Sequence, residues 1–351
     1  MSVAATASDS EIHLTLLIGG LFGPKLELES SSGSDTPVLE ALLARSDRRN
    51  GDNRNDLEGV VFDLFNIQVD RDKDLPVAAI TRVLDLGIID SGWWLRADPV
   101  HLELDHDRLI LADGAVLHVT QEEAEGLVAE MMEVYADEGW VLRAAQPDRW
   151  YLKPPQEPSI KTTPLPTVVG RDVHPFLPQG EDSKAWHTFL NEVQILLHTA
   201  SVNGERERRG KLSINSVWFW GGGRLPELRH VQWSKVWSAE PVSLALARLS
   251  GTPRAVPPAN ATGWLKHTDV PGQHLLVLDE GRRAVQYDDI ESWQTFIQNL
   301  ETNWAAPLLE AVQTKTVQSV TFYTESGQRF RFTPKGIKRW WRRRRPLSKY
   351  R

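Results

Sequence analysis

Short, mainly apolar runs alternate along this chain with stretches of helical spacing. His13 to Ile18, Lys211 to Trp220, His274 to Leu278 and Val317 to Tyr323 read as buried strands. Helices are predicted for TPVLEALLARS from Thr36, with Pro37 in the first turn, and for Leu57 to Phe65, Asp182 to Thr199 and Pro241 to Ser250. A long one starts at Asp289 and carries Trp293, Phe296, Ile297, Leu300 and Trp304. Strand followed by helix is the signature of an α/β sheet. The first strand runs into Gly19, Gly20 and Gly23-Pro24, a turn at the strand end where open α/β sheets place their sites.

At Trp93 the pattern becomes strand-like: WWLRADPVHLEL, a turn at Asp105 to Asp107, then RLILA predict a hairpin. Thr120 to Glu123 is a T-x-x-E capping box opening a helix with apolar Ala124, Leu127, Val128, Met131 and Tyr135, stopped by Gly139. Gln156 to Gly180 contains Pro158, Pro164, Pro166, Pro175 and Pro178 and predicts an irregular connection. Arg45 to Asp56 has no apolar residue and reads as an exposed loop. The whole predicts one α/β core, residues 12–92 and 210–334, interrupted by a smaller α+β insert at 93–209, with a flexible N-terminus 1–11 and a basic tail 335–351.

Composition sharpens the chemistry more than the fold. Hydrophobic content of 41% and charged content of 25% over 351 residues belong to a chain that buries a large core. Absence of cysteine excludes disulfides, thiolate metal sites and cysteine nucleophiles together. MSVAATASDSEI carries no basic residue and the apolar run after it is too short for a signal core or a membrane span, so a cytoplasmic, non-spanning protein is expected. The net charge of -7 conceals a tail, Lys335 to Arg351, with nine Lys or Arg and no acid. Its Trp340 and Trp341 suit stacking or wedging against nucleic acid or anionic lipid. The expectation preferred on composition is a charged end that packs its tryptophans on the domain; self-association against the acidic remainder, or a protein partner, is a further option.

Gly221, Gly222 and Gly223 follow a predicted strand and stand beside Arg224, so they can offer backbone N–H groups and a bidentate guanidinium to an anion, or simply form a tight turn under tryptophan packing. No G-x-S-x-G elbow occurs. His101, Asp105 and His106 share a hairpin, and His187 and His198 lie three helical turns apart, too far to share a metal.

Thr162-Thr163-Pro164, Gly170, FLPQG at Phe176 to Gly180, VNGER at Val202 to Arg206 and GKLSINSVWFWGGGRLP at Gly210 to Pro226 follow one another in an order that resembles archaeal-type cofactor-independent phosphoglycerate mutases, of the alkaline phosphatase superfamily. WLRADPVHL, NSVWFWGGGRLP and the WRRRRPL ending further resemble the bacterial regulatory protein RpfE family. The resemblance implies an alkaline phosphatase-like sheet flanked by helices and a reaction that needs two divalent metals held by Asp and His. Where the family has an Asp-Gly ligand this chain has Gly19-Gly20-Leu21; where it has His, Asp and His the chain runs from Asp279 to Tyr287 without histidine; Thr324-Glu325-Ser326 replaces an Asp-His pair. What is implied is a mutase-like protein without metal ligands or cofactor, non-catalytic and regulatory or ligand-sensing. Its candidate contacts to a phosphorylated or carboxylated ligand, at the cleft between core and insert, are Arg96, Asn203, Arg206, Asn215, Gly221, Gly222, Gly223 and Arg224. The alternatives are an active metal-dependent mutase or phosphatase, and a nucleic-acid or membrane-surface adaptor using the tail.

Overall fold

A computed structural model describes residues 11–24, 36–51, 56–70, 72–228, 231–268 and 270–351; the expected flexible N-terminus lies almost wholly outside them. The described strands are β1 Ile12–Ile18, β2 Asp47–Arg49, β3 Trp94–Asp105, β4 Arg108–Ala112, β5 Val141–Gln146, β6 Arg149–Lys153, β7 Ser216–Gly223, β8 Trp233–Trp237, β9 Arg254–Ala255, β10 Gly272–Leu278, β11 Ser319–Thr324 and β12 Arg329–Phe332. Among the described residues no helix is long and apolar enough to cross a membrane. The chain divides into two compact units, one made of residues up to Ile67 and from Leu228 onward, the other of Gln68–Glu227.

The first unit is a mixed α/β layer around a seven-stranded sheet in the order β2-β12-β11-β1-β10-β8-β9. Strands β11, β1, β10, β8 and β9 are parallel, and antiparallel β12 joins β2 at the edge. Parallel strands covered on both faces need apolar residues in succession, and β1 supplies them: Leu16, Leu17 and Ile18 are fully buried. Ile18 pairs with Leu278 on one side and Thr324 on the other, so Gly19, Asp279 and Glu325 leave the sheet side by side.

Helices Pro37–Arg45, Leu57–Leu64, Pro241–Leu249 and Ile290–Leu300 form close to where their apolar spacing predicts. The last continues through a π turn, Glu301–Ala305, into Ala306–Gln313. Pro307 has no N–H to give to the preceding turn, and a widened turn is the local answer. The buried Glu301 in that turn accepts hydrogen bonds from the N–H groups of Val38 and Leu39 at 2.7 and 2.8 Å, capping helix Pro37–Arg45, whose own N-cap Thr36 makes no side-chain cap bond. The predicted exposed loop after Arg45 is corrected: Asp47–Arg49 is a wholly exposed edge strand on β12, itself unforeseen. Charged residues on a short edge leave no apolar period to read and guard the edge against further pairing.

The second unit is an antiparallel sheet, β4-β3-β6-β5 with β7 beside β3, under helices Gln121–Tyr135 and Ser183–Thr199. The capping box closes as predicted, Glu123 N–H on Thr120 Oγ1 at 3.2 Å and Thr120 N–H on Glu123 Oε2 at 2.9 Å. Segment SINSVWFWGGGR belongs here and not in the core sheet, because Ala97 pairs with Phe219 and Asp98 with Trp218 along β7. The unit therefore spans Gln68–Glu227, wider than the 93–209 expected. The three glycines lie within the strand, which starts only at Ser216.

Candidate functional site

In the first unit the ends of β11, β1, β10 and β8 gather a charged cluster. After β10, Asp279 leads into helix Glu280–Gln286, which carries Arg282. Arg282 is only 16% exposed and binds Glu58, from helix Leu57–Leu64, through both terminal nitrogens, at 2.8 and 2.7 Å. Two glycines fit the turn after β1 against this helix: a Cβ on Gly19 would fall 3.3 Å from both Arg282 Cβ and Leu57 Cδ1, and Gly20, at φ 74°, lies against the Gly281 carbonyl with no room for a side chain.

Glu240 closes the cluster from the end of β8. It caps helix Pro241–Leu249, accepting from Val242 and Ser243 N–H at 2.7 Å each, and is fully enclosed. Burial, reinforced by the nearby Glu58 charge, pushes its carboxyl up to about 7. Burial also raises Asp279 and Glu325, with Arg282 pulling both back down. Arg282 itself is raised: burial opposes its charge, but Glu58, Glu325 and Glu240 outweigh that. Among the described residues no three His, Cys, Asp or Glu side chains are placed to hold a metal. The carboxylates converge on a guanidinium.

In the second unit the sequence candidates are scattered and already partnered. Arg96 makes a buried two-point pair with Asp98 at 2.8 and 2.7 Å and stands over the Tyr151 and Trp220 rings. Trp220 Nε1 donates to the same Asp98 at 2.7 Å. Burial raises Asp98 despite Arg96. Asn203 donates to the Leu197 and Ile214 carbonyls and accepts from Ile214 N–H, tying the helix Ser201–Arg208 to the entry of β7. Arg206 spends its donors on the Leu212 and Leu117 carbonyls and on Glu123. Asn215 pairs with both backbone groups of Leu102, extending the β3–β7 ladder with its side chain.

Where a bound anion was expected at the glycines, the chain supplies its own. The Gly222 N–H reaches the Asp74 carboxylate at 3.4 Å, Thr162 donates to it through N–H and hydroxyl, and the Gly221 N–H reaches the Thr162 hydroxyl at 3.2 Å. Burial raises Asp74 above its ordinary range against those bonds. The glycines let the strand approach the Leu75-Pro76-Val77 backbone: a Cβ on Gly223 would fall 2.7 Å from Pro76 Cβ. Arg224 is exposed and bound to Glu157 and the Ser91 carbonyl.

The tail departs from the preferred expectation. Leu347 and Tyr350 are the buried anchors, while Trp340 and Trp341 are 77% and 62% exposed. Arg339 is held by Asp47 and the Arg45 carbonyl, and Arg342 by the Ser46 carbonyl. His101 hydrogen-bonds the Ser213 carbonyl and His106 is exposed, so that hairpin gathers no ligand set.

No family model matches the chain. Over 155 residues, 44% of its length, the chain is 23% identical to a probable 2,3-bisphosphoglycerate-independent phosphoglycerate mutase of Geobacter sulfurreducens, of which the match spans 38%. A 70-residue stretch, 20% of the chain and 18% of the relative, is 30% identical to a 2,3-bisphosphoglycerate-independent phosphoglycerate mutase of Methanosarcina acetivorans. The matched stretches thus span well under half of either relative. Among solved structures, the PH0037 protein from Pyrococcus horikoshii aligns with a TM-score of 0.54 at 13% identity, over 92% of this chain and 88% of that one. The cofactor-independent phosphoglycerate mutase from Thermoplasma acidophilum aligns with a TM-score of 0.38 at 15% identity, over 92% and 90%. The sequence matches support homology to phosphoglycerate mutases of the cofactor-independent kind, and the PH0037 likeness bears out the mixed α/β fold.

Proposed function

We propose that this chain is a phosphoglycerate mutase-like protein that acts without catalysis, as a regulatory or ligand-sensing protein of the RpfE kind. The observation that carries this is the Arg282–Glu58 pair at the C-terminal edge of the sheet. Metal-assisted phosphoryl transfer needs divalent ions to polarise the phosphoryl oxygens and to activate a nucleophile, and several carboxylate and imidazole ligands to hold them. The residues present do not fit such a centre. Gly19 and Gly20 offer no side chain, Glu58 is paired with the Arg282 guanidinium, which is charged at every accessible pH, and Glu240, Asp279 and Glu325 lie within reach of that charge. A guanidinium neutralises carboxylates as a metal would, but has no open coordination position for substrate or water.

Metal content and turnover test this together. The purified protein is expected to hold manganese and zinc far below one equivalent, and to leave 3-phosphoglycerate unconverted when followed by phosphorus NMR. Stoichiometric metal with conversion to 2-phosphoglycerate overturns it.

A second function, as an adaptor for single-stranded nucleic acid, is favoured by one observation. Trp340 and Trp341 are presented to solvent beside Arg343, Arg344 and Arg345, while the flanking Arg339, Leu347 and Tyr350 hold the tail on the unit. Exposed indoles next to guanidinium groups form a stacking platform for bases with phosphate neutralisation beside it.

A further inference from the structure

We propose that a cleft at the β2–β12 edge of the first unit is a binding site for a small phosphorylated or carboxylated molecule, with Arg49 and Arg329 as its anion-holding pair. Arg49 and Arg329 are direct partners across the antiparallel ladder, so their side chains rise on the same face of the sheet. Like charges directly opposite each other repel, and a bound anion would relieve that repulsion.

Among the described residues of these two strands the carboxylate on that face is Asp47, opposite Arg331, and Arg339 holds it at 2.7 Å. Arg339, Arg342 and Arg331 together keep its pKa below the usual carboxylate range. Alternate residues of the same edge are differently employed: Arg48 points to the other face, over the Phe330 ring, and reaches Gln328 and the Tyr350 carbonyl. One arginine of the strand is structural, and its neighbour is not.

Arg49 and Arg329 line a cavity of about 350 Å³ with Asn50, Tyr323 and, at its base, Val60 and Leu64. Arg329 makes a long contact of 3.4 Å with the Tyr323 hydroxyl, which leaves the remaining guanidinium donors to face the cavity. The rim is closed by Gly51 lying on the Gly327 carbonyl, where a Cβ would come within 2.6 Å of the oxygen. Asp63 also borders the cavity and is partnered already. Two arginines against one aspartate leave the cleft net positive. A cavity of this size, at the small end of ligand pockets, takes one metabolite and not a polymer. Guanidinium forks match phosphate and carboxylate oxygens in pairs, and the Asn50 amide and Tyr323 hydroxyl suit the hydroxyl of a sugar acid or glycerate skeleton.

The site deepens the ligand-sensing function proposed above but does not depend on the absence of catalysis. Titration calorimetry of the full chain with inorganic phosphate and with 3-phosphoglycerate is the test. Both probes are expected to bind, and Arg49→Gln and Arg329→Gln are each expected to weaken binding about tenfold or more. Arg224→Gln is expected to leave it unchanged. Without ligand, Arg49→Gln is expected to melt no lower than the parent protein because it removes a repulsion, and to lose the stabilisation that added phosphate gives the parent. If Arg329→Gln fails to fold, Arg49→Gln and Arg49→Lys decide alone. Absence of binding in the millimolar range, or binding that Arg224→Gln weakens and Arg49→Gln does not, overturns the site. Metal-dependent turnover with arginine-dependent binding intact would overturn only the non-catalytic function.

Discussion

Arg282 and Glu58 come from helices 224 positions apart and meet in a two-point ion pair at the end of the parallel sheet. Removing one member strands the other without its counter-charge. Arg282→Met is therefore expected to destabilise the protein by about 3–5 kcal/mol near neutral pH in urea unfolding, and the double change Arg282→Met with Glu58→Met to restore part of that loss, since Asp279 and Glu325 still lack the guanidinium. Equal loss in single and double variants would show that the pair is not what the cluster rests on.

Glu240 makes stability depend on pH. Its folded-state pKa, pushed up to about 7 by burial and Glu58, lies above the ordinary 4.5, so the folded state binds its proton more tightly than the unfolded state. The contribution is fully present below pH 4.5 and is lost as pH rises through 7. Glu240→Gln keeps one of the two oxygens that accept from Val242 and Ser243 N–H, loses the other to an amide nitrogen at a cost independent of pH, and does not ionise. Its stability relative to the parent is expected to improve by the order of 1–3 kcal/mol between pH 5 and pH 8. A constant difference across that range would count against the shifted carboxyl.

The glycines of β7 serve packing. Gly223→Ala places a Cβ against Pro76 and is expected to cost about 1–3 kcal/mol in thermal or urea unfolding. Arg224→Gln breaks only an exposed pair and is expected to change stability by less than about 0.5 kcal/mol. The opposite order would point to a role for Arg224 that its present contacts do not show.

Glu301→Ala leaves the first-turn N–H groups of Val38 and Leu39 without acceptors in a buried place. A loss of about 1–3 kcal/mol is expected, with Glu301→Gln recovering part of it. Hydrogen exchange at Val38 and Leu39 reports the same event locally.

Trp340 and Trp341 can be tested by substitution, whereas truncating the tail would also strip Leu347 and Tyr350 from the core. The double change Trp340→Ala with Trp341→Ala is expected to leave the melting temperature unchanged. If the tail serves single-stranded nucleic acid, affinity for an oligonucleotide should fall about tenfold or more in a fluorescence titration. Unchanged affinity would remove the adaptor function.

Elements whose signal is local can be read from the order of amino acids alone. β1 is mainly apolar and ends in the run Leu16-Leu17-Ile18, Thr120 and Glu123 sit at capping-box spacing, and Ile290–Leu300 starts behind its cap Asp289, so all three were legible before folding. That order was also enough to show that Gly19 and Gly20 have no side chain and that Asp279 to Tyr287 contains Arg282 and Arg283 and no histidine. Tertiary structure decided the rest, because it depends on partners distant in sequence. An apolar run does not say which sheet it joins, and β7 pairs with β3 because of register, not composition. Edge strand β2, DRR, carries only charge and leaves no period, while β12, RFRF, alternates with Phe330 and Phe332 buried but is too short to stand out. Arg96, Asn203, Arg206 and Asn215 look like ligand contacts as residue types, and only the fold shows their donors turned inward. Glu58 and Glu240 carry no motif; helix Leu57–Leu64 and the end of β8 bring them to the charge of Arg282.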